Sequence, residues 1–265
     1  MAGVKYLAIT DHDNDQAFKT IAREKGLCGA RDLNVHGLIL VSGVELSCRW
    51  QNTDVHVVAL NYHSGSQTME SLLGMQAQNR ARRNLEIRDK LMAAGVNLAF
   101  DELDSPDLCC RLGRVYFAEK MVEAGIVKNS ERAFKRYLGK SGRAHVKSSW
   151  IAMEDAIEAA RAAGGSVILA HPLKYRMSRG KLRKLAQQFA EMGGDALEVT
   201  SGRQVNTETE RAVNLAEECG LQASIGSDFH APGRPWSALG VAGYLPKRCR
   251  PVWQAWDNLD PQARA

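Results

Sequence analysis

Residues 166–172 read Ser-Val-Ile-Leu-Ala-His-Pro, a short apolar run that ends in a histidine and a proline. A run of this length, bounded by polar or glycine residues, is typical of a strand buried on both faces of a parallel sheet. Comparable runs occupy residues 4–10, 38–44, 55–60, 196–200 and 223–226, with stretches of helical spacing between several of them. The alternation predicts βα units around a parallel sheet.

Helical spacing predicts helices at residues 16–25, 152–163, 181–192 and 207–219, each followed by a glycine where a C-cap belongs. Between about residues 68 and 150 the strand pattern is absent, and helical patterns rich in Arg, Ala and Leu replace it. The sequence therefore predicts an α/β barrel in two parts, residues 1–67 and 151–265, interrupted by an inserted helical domain at residues 68–150. The basic residues of the first inserted helix favour a solvated face with i,i+4 ion pairs, and a substrate or RNA surface is the alternative.

The chain has 265 residues, 45% of them hydrophobic and 25% charged, which suits one large globular domain and argues against disorder or a fibrous repeat. A formal charge of +5 suits an anionic substrate without requiring one. The start of the chain has no signal-peptide pattern and no window is apolar enough to span a membrane, so we expect a cytoplasmic protein without a membrane partner. Six cysteines without a C-x-x-C pair signal neither a zinc knuckle nor a redox motif.

Three other enzyme classes lack their sequence signatures. No G-x-S-x-G marks a serine hydrolase, and no G-x-G-x-x-G marks a dinucleotide-binding site. Residues 139–141, Gly-Lys-Ser, lack the upstream glycine of a phosphate-binding P-loop.

Histidines and carboxylates stand at or just beyond the ends of the predicted strands. The first run leads into Asp11-His12-Asp13, the second into Glu45, the run at 166–170 into His171, and the last into Asp228-Phe229-His230, whereas His56 lies inside its strand. Parallel barrels carry their active sites at this end of the strands. A lone histidine on a strand is more often a hydrogen-bonded core residue, but the whole set in this order favours a site for Zn²⁺, Mn²⁺ or Fe²⁺.

These motifs resemble the polymerase and histidinol phosphatase (PHP) family, and within it the TrpH-like branch of 3',5'-nucleoside bisphosphate phosphatases and RNase AM-type 5'-3' exoribonucleases. The resemblance covers nearly the whole chain. Residues 114–118 resemble the insertion motif of the branch, residues 134–138 its F-K-K-Y-L segment, and residues 170–175 its A-H-P-G-R-Y segment.

The resemblance implies a distorted (β/α)7 PHP-type barrel that holds up to three divalent metal ions, manganese first, with zinc, iron or magnesium as alternatives. One ion would be held by Glu45, His56 and His171. Glu45 would bridge to a second ion on Asp228, and His12 with His230 would hold a third. Asp11, His12 and His230 are the expected catalytic residues, and Asp13 is an accessory group.

The chain departs from the family in specific places. Family members open with a first strand bearing H-x-H-S and soon afterwards an aspartate, and neither occurs here, so we expect that the first strand is absent and that Met1 is not the natural beginning. Two of the ions would then lack protein ligands. Tyr116 stands where the branch has His, Lys174 where it has Arg, and His145 where it has Tyr. A lysine keeps the charge but loses the bidentate fork of arginine.

The expected function is that of a metal-dependent phosphoesterase acting on 3',5'-nucleoside bisphosphates, on short 5'-phosphorylated RNA, or on both, without recognition of a DNA sequence. Cationic donors suit phosphate oxygens, so Arg114, Lys174 and one of Lys140 or Arg143 are expected to bind the substrate's other phosphate. Plain surface charge is the alternative for each of them. The rival function is a degenerate, catalytically impaired module that binds RNA or acts in regulation.

Overall fold

The computed structural model describes residues 4–230, 233, 235–242 and 244–257. These residues form two compact units, one drawn from the ranges 1–72 and 151–265 and the other from residues 73–150. Along the chain the strands and α-helices are β1 Tyr6–Ala8, α1 Gln16–Glu24, β2 Asp32–Val35, β3 Leu38–Val41, β4 Gly43–Trp50, β5 Thr53–Leu60, α2 Gln67–Ala93, α3 Pro106–Cys109, α4 Arg114–Glu123, α5 Ser130–Ala133, β6 Ile151–Ala152, α6 Met153–Ala162, β7 Ser166–Leu169, α7 Arg179–Glu191, β8 Ala196–Ser201, α8 Asn206–Glu218 and β9 Gln222–Gly226. Within these described ranges, no helix is both long and apolar enough to cross a bilayer.

The first unit contains two sheets. The smaller sheet has the strand order β1-β3-β2, and the larger has the order β6-β4-β5-β7-β8-β9. Beyond β1 the chain continues beside the start of β4, where His12 and Glu45 form an isolated parallel bridge. This bridge joins the segment that follows β1 to the larger sheet.

The sheet is mixed, so the prediction of a purely parallel sheet is wrong. Strand β5 runs antiparallel to both β4 and β7, and β2 runs antiparallel to β3. The cause is a hairpin: Trp50 pairs with Thr53 across only two loop residues, and the first of these, Gln51, has a φ of 52°. A two-residue loop can join only antiparallel neighbours. The closed (β/α)7 barrel and its absent first strand stay predictions, because the strands of the described residues form two sheets.

The single strand predicted at residues 38–44 is wrong, because the structure divides this run into β3 in the smaller sheet and the start of β4 in the larger sheet. The predicted run ended at Val44, whereas β4 continues to Trp50 with nearly every side chain buried. Glu45 therefore lies inside a strand rather than just after its end. The position was wrong because apolar and small residues continue beyond the carboxylate in the sequence.

Helices cover the larger sheet and supply much of its core. Helices α1, α6, α7 and α8 confirm the predicted helices to within two residues, and the glycines that follow them, Gly26, Gly164, Gly193 and Gly220, all have positive φ. A residue without Cβ takes this backbone conformation without strain, which is why glycine ends so many helices. Helix α6 packs on β4, β5 and β7, and α8 packs on β8 and β9. Strand β8 is buried at all six positions.

All regular secondary structure in the second unit, residues 73–150, is helical, and the unit has its own core. Apolar side chains from α2, α4 and the following π-helical turn at Phe134–Leu138 meet there. Leu91, Phe117, Met121 and Leu138 are almost completely buried. Burying side chains of this size stabilises a fold by about 1.5–3 kcal/mol each.

Candidate active site

Three strands bring Glu45, His56 and His171 together. Glu45 comes from β4, His56 from β5, and His171 follows β7 by two residues. Because β5 runs antiparallel to β7, its first half lies beside the carboxyl end of β7, and Ala170 N donates to His56 O over 3.1 Å. The reversed direction of β5 therefore explains why a histidine in mid-strand reaches the same edge as residues that follow other strands.

The three side chains meet at short range. Glu45 Oε1 lies 2.8 Å from His56 Nδ1 and 3.0 Å from His171 Nε2, and the two ring nitrogens are 3.2 Å apart. Ligand atoms bound to one ion at about 2.0–2.2 Å lie roughly 2.8–3.6 Å from one another in octahedral or tetrahedral geometry. The triangle of one carboxylate oxygen and two imidazole nitrogens therefore has the size and the donor chemistry of one face of a metal site.

Glu45 and His171 each stabilise the charged form of the other. Burial acts to raise the pKa of Glu45, but the hydrogen bonds from His171 and His56 outweigh it and hold the pKa well below its usual range. Burial acts to lower the pKa of His171, and the Glu45 carboxylate beside it more than compensates, so that this pKa is raised. The carboxylate therefore stays ionised in a buried position, as a metal ligand must.

Two residues that the sequence analysis did not single out hold the histidines in place. Glu198 in β8 is buried, and its Oε2 accepts a hydrogen bond of 2.9 Å from the backbone N of His171. The Tyr175 hydroxyl accepts one of 2.8 Å from the backbone N of His56. The sequence does mark Glu198, because it is the single charged residue in the strand Ala196–Ser201. Burial raises the pKa of Glu198.

Asp228, His230 and Lys174 form a second cluster beside the first. Lys174 Nζ donates to Asp228 Oδ2, and His230 Nδ1 lies 2.9 Å from the backbone O of Asp228. One ligand atom each from Glu45, His171 and Asp228 lie within 4.8 Å of one another. His171 and Asp228 both have positive φ, at 29° and 51°. Such backbone strain in residues other than glycine is concentrated at functional sites.

The segment that follows β1 places His12 beside Glu45 and His56. Glu45 N donates to Asp11 O at 3.2 Å, and Asp13 N donates to Glu45 O at 2.9 Å, so the segment is paired with β4. His12 Nδ1 lies 3.7 Å from Glu45 Oε2, and its ring is 4.8 Å from that of His56. His12, Glu45 and His56 form a further group with ligand atoms within 4.8 Å. Asp13 is buried and accepts a hydrogen bond from Ser47 N, whereas Asp11 is exposed.

The structure thus brings together the six residues predicted to bind metal, and it places Lys174 beside one of them. The other predicted phosphate-binding residues, Arg114, Lys140 and Arg143, belong to the second unit. There the Arg114 guanidinium lies 5.7 Å from the centre of the Phe134 ring, and Lys140 and Arg143 are exposed.

His145 of the second unit lies among cationic side chains. Burial lowers its pKa, and the positive charges of Arg114, Arg83 and Lys90 lower it further. Tyr116, at the position where the branch has histidine, donates a hydrogen bond of 2.5 Å to Glu102. Burial and this carboxylate raise the pKa of Tyr116, so its hydroxyl stays protonated. The roles predicted for Arg114, Lys140 and Arg143 in substrate binding stay predictions.

No protein-family model matches the chain. It is 38% identical over 253 residues to a 5'-3' exoribonuclease of Haemophilus influenzae, covering 95% of this chain and 88% of that protein. It is 32% identical over 252 residues to a 3',5'-nucleoside bisphosphate phosphatase of Chromobacterium violaceum, covering 94% and 85%.

Among solved structures, a protein of Chromobacterium violaceum described as an amidohydrolase with bound sulfate and no metal superposes with a TM-score of 0.81. It is 31% identical, and the match covers 98% of this chain and 86% of that one. The chain therefore belongs to the family of phosphate-ester hydrolases that contains this exoribonuclease and this nucleoside bisphosphate phosphatase.

Proposed function

We propose that the chain is a divalent-metal-dependent phosphoesterase that hydrolyses 3',5'-nucleoside bisphosphates, short 5'-phosphorylated RNA, or both. The observation that carries the proposal is the triangle of Glu45 Oε1, His56 Nδ1 and His171 Nε2, with edges of 2.8–3.2 Å. The exoribonuclease and the bisphosphate phosphatase among its relatives support the class of substrate.

In this proposal Glu45, His56 and His171 hold one ion, Asp228 joins Glu45 at a second, and His12 and His230 serve a third. Mixed imidazole and carboxylate donors suit Mn²⁺, Zn²⁺ and Fe²⁺. A bound divalent ion lowers the pKa of a water molecule and stabilises negative charge on phosphoryl oxygens. Glu45 is the common member of both groups of side chains whose ligand atoms lie within 4.8 Å.

His230 has a defined tautomer in the neutral state. A carbonyl oxygen can only accept, so the 2.9 Å contact with Asp228 O requires the hydrogen on Nδ1. Nε2 then presents a lone pair. His230 is predicted both as a metal ligand and as a catalytic residue, and this nitrogen is available for either role. Its side chain is half exposed, at 47%, so that a substrate can reach it.

Lys174 is the cation of the first unit that we assign to the substrate. Its ammonium group donates to Asp228, and its side chain is 47% exposed. An ammonium with three donors can keep this ion pair and still donate to a phosphate oxygen. Arg114, with Lys140 or Arg143, is proposed to bind the other phosphate of the substrate.

The test is hydrolysis of adenosine 3',5'-bisphosphate, of a 5'-phosphorylated oligoribonucleotide and of a simple phosphomonoester, each with Mn²⁺. Asp228→Asn should lower kcat/KM by about 100-fold or more, because a neutral amide is a poor ligand and no longer pairs with Lys174. Asp104→Asn, an exposed carboxylate of the second unit, is the matched control. A wild-type chain that releases neither phosphate nor mononucleotide would refute the proposal, as would full activity of Asp228→Asn.

The rival function, a degenerate RNA-binding or regulatory module, is not favoured. A module that had lost catalysis would have no reason to keep a buried, ionised Glu45 with two histidines within 3.0 Å of one oxygen. Replacing a buried ion pair with apolar side chains is often neutral or stabilising, so stability alone gives little reason to keep this group.

A further inference from the structure

A cleft beside Asp228 carries an aromatic side chain that the proposed reaction does not use. The cleft has a volume of ≈ 390 Å³, and its lining includes Lys174, Asp228, His230, Arg203 and Trp236. Small-molecule sites usually have volumes of about 300–1,000 Å³. Because Asp228, His230 and Lys174 belong to this lining, a phosphate ester held at these residues has room for its sugar and base in the cleft.

Trp236 is the aromatic residue placed to meet that base. The large aromatic side chains most exposed in the described part of the chain are Phe229, Trp236 and Tyr244, and of these Trp236 alone lines the cleft. Its indole is 60% exposed. An indole left open to solvent beside a cluster of cationic and carboxylate groups is a stacking surface for a planar ligand.

The backbone holds Trp236 firmly against the end of β8. Arg203 N donates to Trp236 O over 2.7 Å. Gly202, with a φ of 60°, approaches so closely that a Cβ there would lie 2.6 Å from Trp236 O and 3.1 Å from Ser227 O. A glycine is therefore required at position 202, and the backbone of Trp236 is hydrogen-bonded to the segment that follows β8.

We infer that this cleft is the nucleobase subsite of the enzyme and that Trp236 stacks on the base of the nucleotide. The inference rests on the proposed function, because it takes the phosphate to lie at Asp228 and Lys174. Every base has a π-face, so stacking favours nucleotides over base-free phosphates while tolerating different bases. The substrate class is then a nucleotide of any base, with the aromatic ring contributing to affinity.

The experiment measures binding to the full chain with Mn²⁺ by isothermal titration calorimetry. The probes are adenosine 5'-monophosphate, cytidine 5'-monophosphate and ribose 5-phosphate, which has the same sugar and phosphate without a base. Trp236→Ala should raise the Kd of both nucleotides by about 5- to 150-fold, the range expected for loss of one base–aromatic stack. The Kd of ribose 5-phosphate should not change, and Trp236→Phe should retain most of the affinity for the nucleotides.

Tyr244→Ala is the matched control, since it removes a 98% exposed aromatic ring that does not line this cleft, and it should leave all three Kd values unchanged. Equal weakening of all three ligands by Trp236→Ala would show a structural role and overturn the inference. So would unchanged nucleotide binding, or a wild-type chain that binds ribose 5-phosphate as tightly as the nucleotides. Phosphate release from the wild-type chain, measured in parallel, separates the two ideas: Trp236-dependent binding without hydrolysis would refute the proposed function alone.

Discussion

Replacing His171 with asparagine tests the proposed metal centre at its most enclosed histidine. The change removes a ring nitrogen that lies 3.0 Å from Glu45 Oε1 and 3.2 Å from His56 Nδ1. Asparagine is preferable to alanine, because residue 171 has a φ of 29° and asparagine tolerates the left-handed region better than most residues. The variant therefore keeps its backbone while it loses one of three donor atoms.

The expected loss of affinity follows from what metal ligands contribute. Removing a group that merely orients a ligand typically costs 10- to 100-fold in metal affinity, so removing the ligand itself should cost at least about 100-fold, or roughly 2.8 kcal/mol. Competition between protons and the metal ion partly offsets this loss of affinity. The raised pKa of His171 means that protons compete with the ion in the wild-type chain, and His171→Asn abolishes that competition. A higher pH weakens this competition, since a smaller fraction of His171 is then protonated.

The assay is calorimetric titration of the metal-free protein with Mn²⁺ or Zn²⁺, with elemental analysis after dialysis. His36→Asn is the matched control, because His36 is exposed, lies in the turn between β2 and β3, and has a similar φ of 52°. It should bind metal as the wild type does. Equal metal content and affinity in the two variants would refute the assignment of His171 as a ligand.

Two further predictions concern pH and the second unit. The gap in Tm between metal-loaded and chelated protein should widen from about pH 6 to 8. As the pH rises, His171 loses its proton and is free to bind the ion. In the metal-free protein the same loss of a proton removes the ion pair with Glu45, whose contribution to stability is lost as the pH passes the raised pKa of His171. A gap in Tm that narrows with rising pH would contradict this. Arg114→Ala should reduce the preference for a 3',5'-bisphosphate over a simple phosphomonoester by about 10- to 100-fold in kcat/KM, as expected for a lost charge-assisted hydrogen bond. Arg111→Ala, an exposed arginine of the same unit, is its control, and intact discrimination in Arg114→Ala would disprove the role.

Local patterns in the sequence predicted the helices of the first unit and most strands of its sheets. Helices α1, α6, α7 and α8 lie within two residues of the predicted ranges, because helical spacing and a terminal glycine are both properties of neighbouring residues. Strands β2 and β6 were not predicted, and β4 was predicted only for its first two residues, as the end of the run at 38–44. Asp32–Val35 alternates with polar residues over only four positions, and Ile151–Ala152 is two residues long, so neither has a periodicity that a sequence can reveal.

The sequence by itself also determined which residue types stand near the ends of strands, since Asp11, His12, His171, Asp228 and His230 follow apolar runs along the chain. The tertiary structure alone decided how these residues meet. The hairpin at Gln51 reverses β5 and so carries His56 to Glu45 and His171. Strand direction and register join residues more than a hundred positions apart, and no local pattern encodes them. The roles of Glu198 and Trp236 could not be predicted for the same reason, because their neighbours come together only when the sheet has formed.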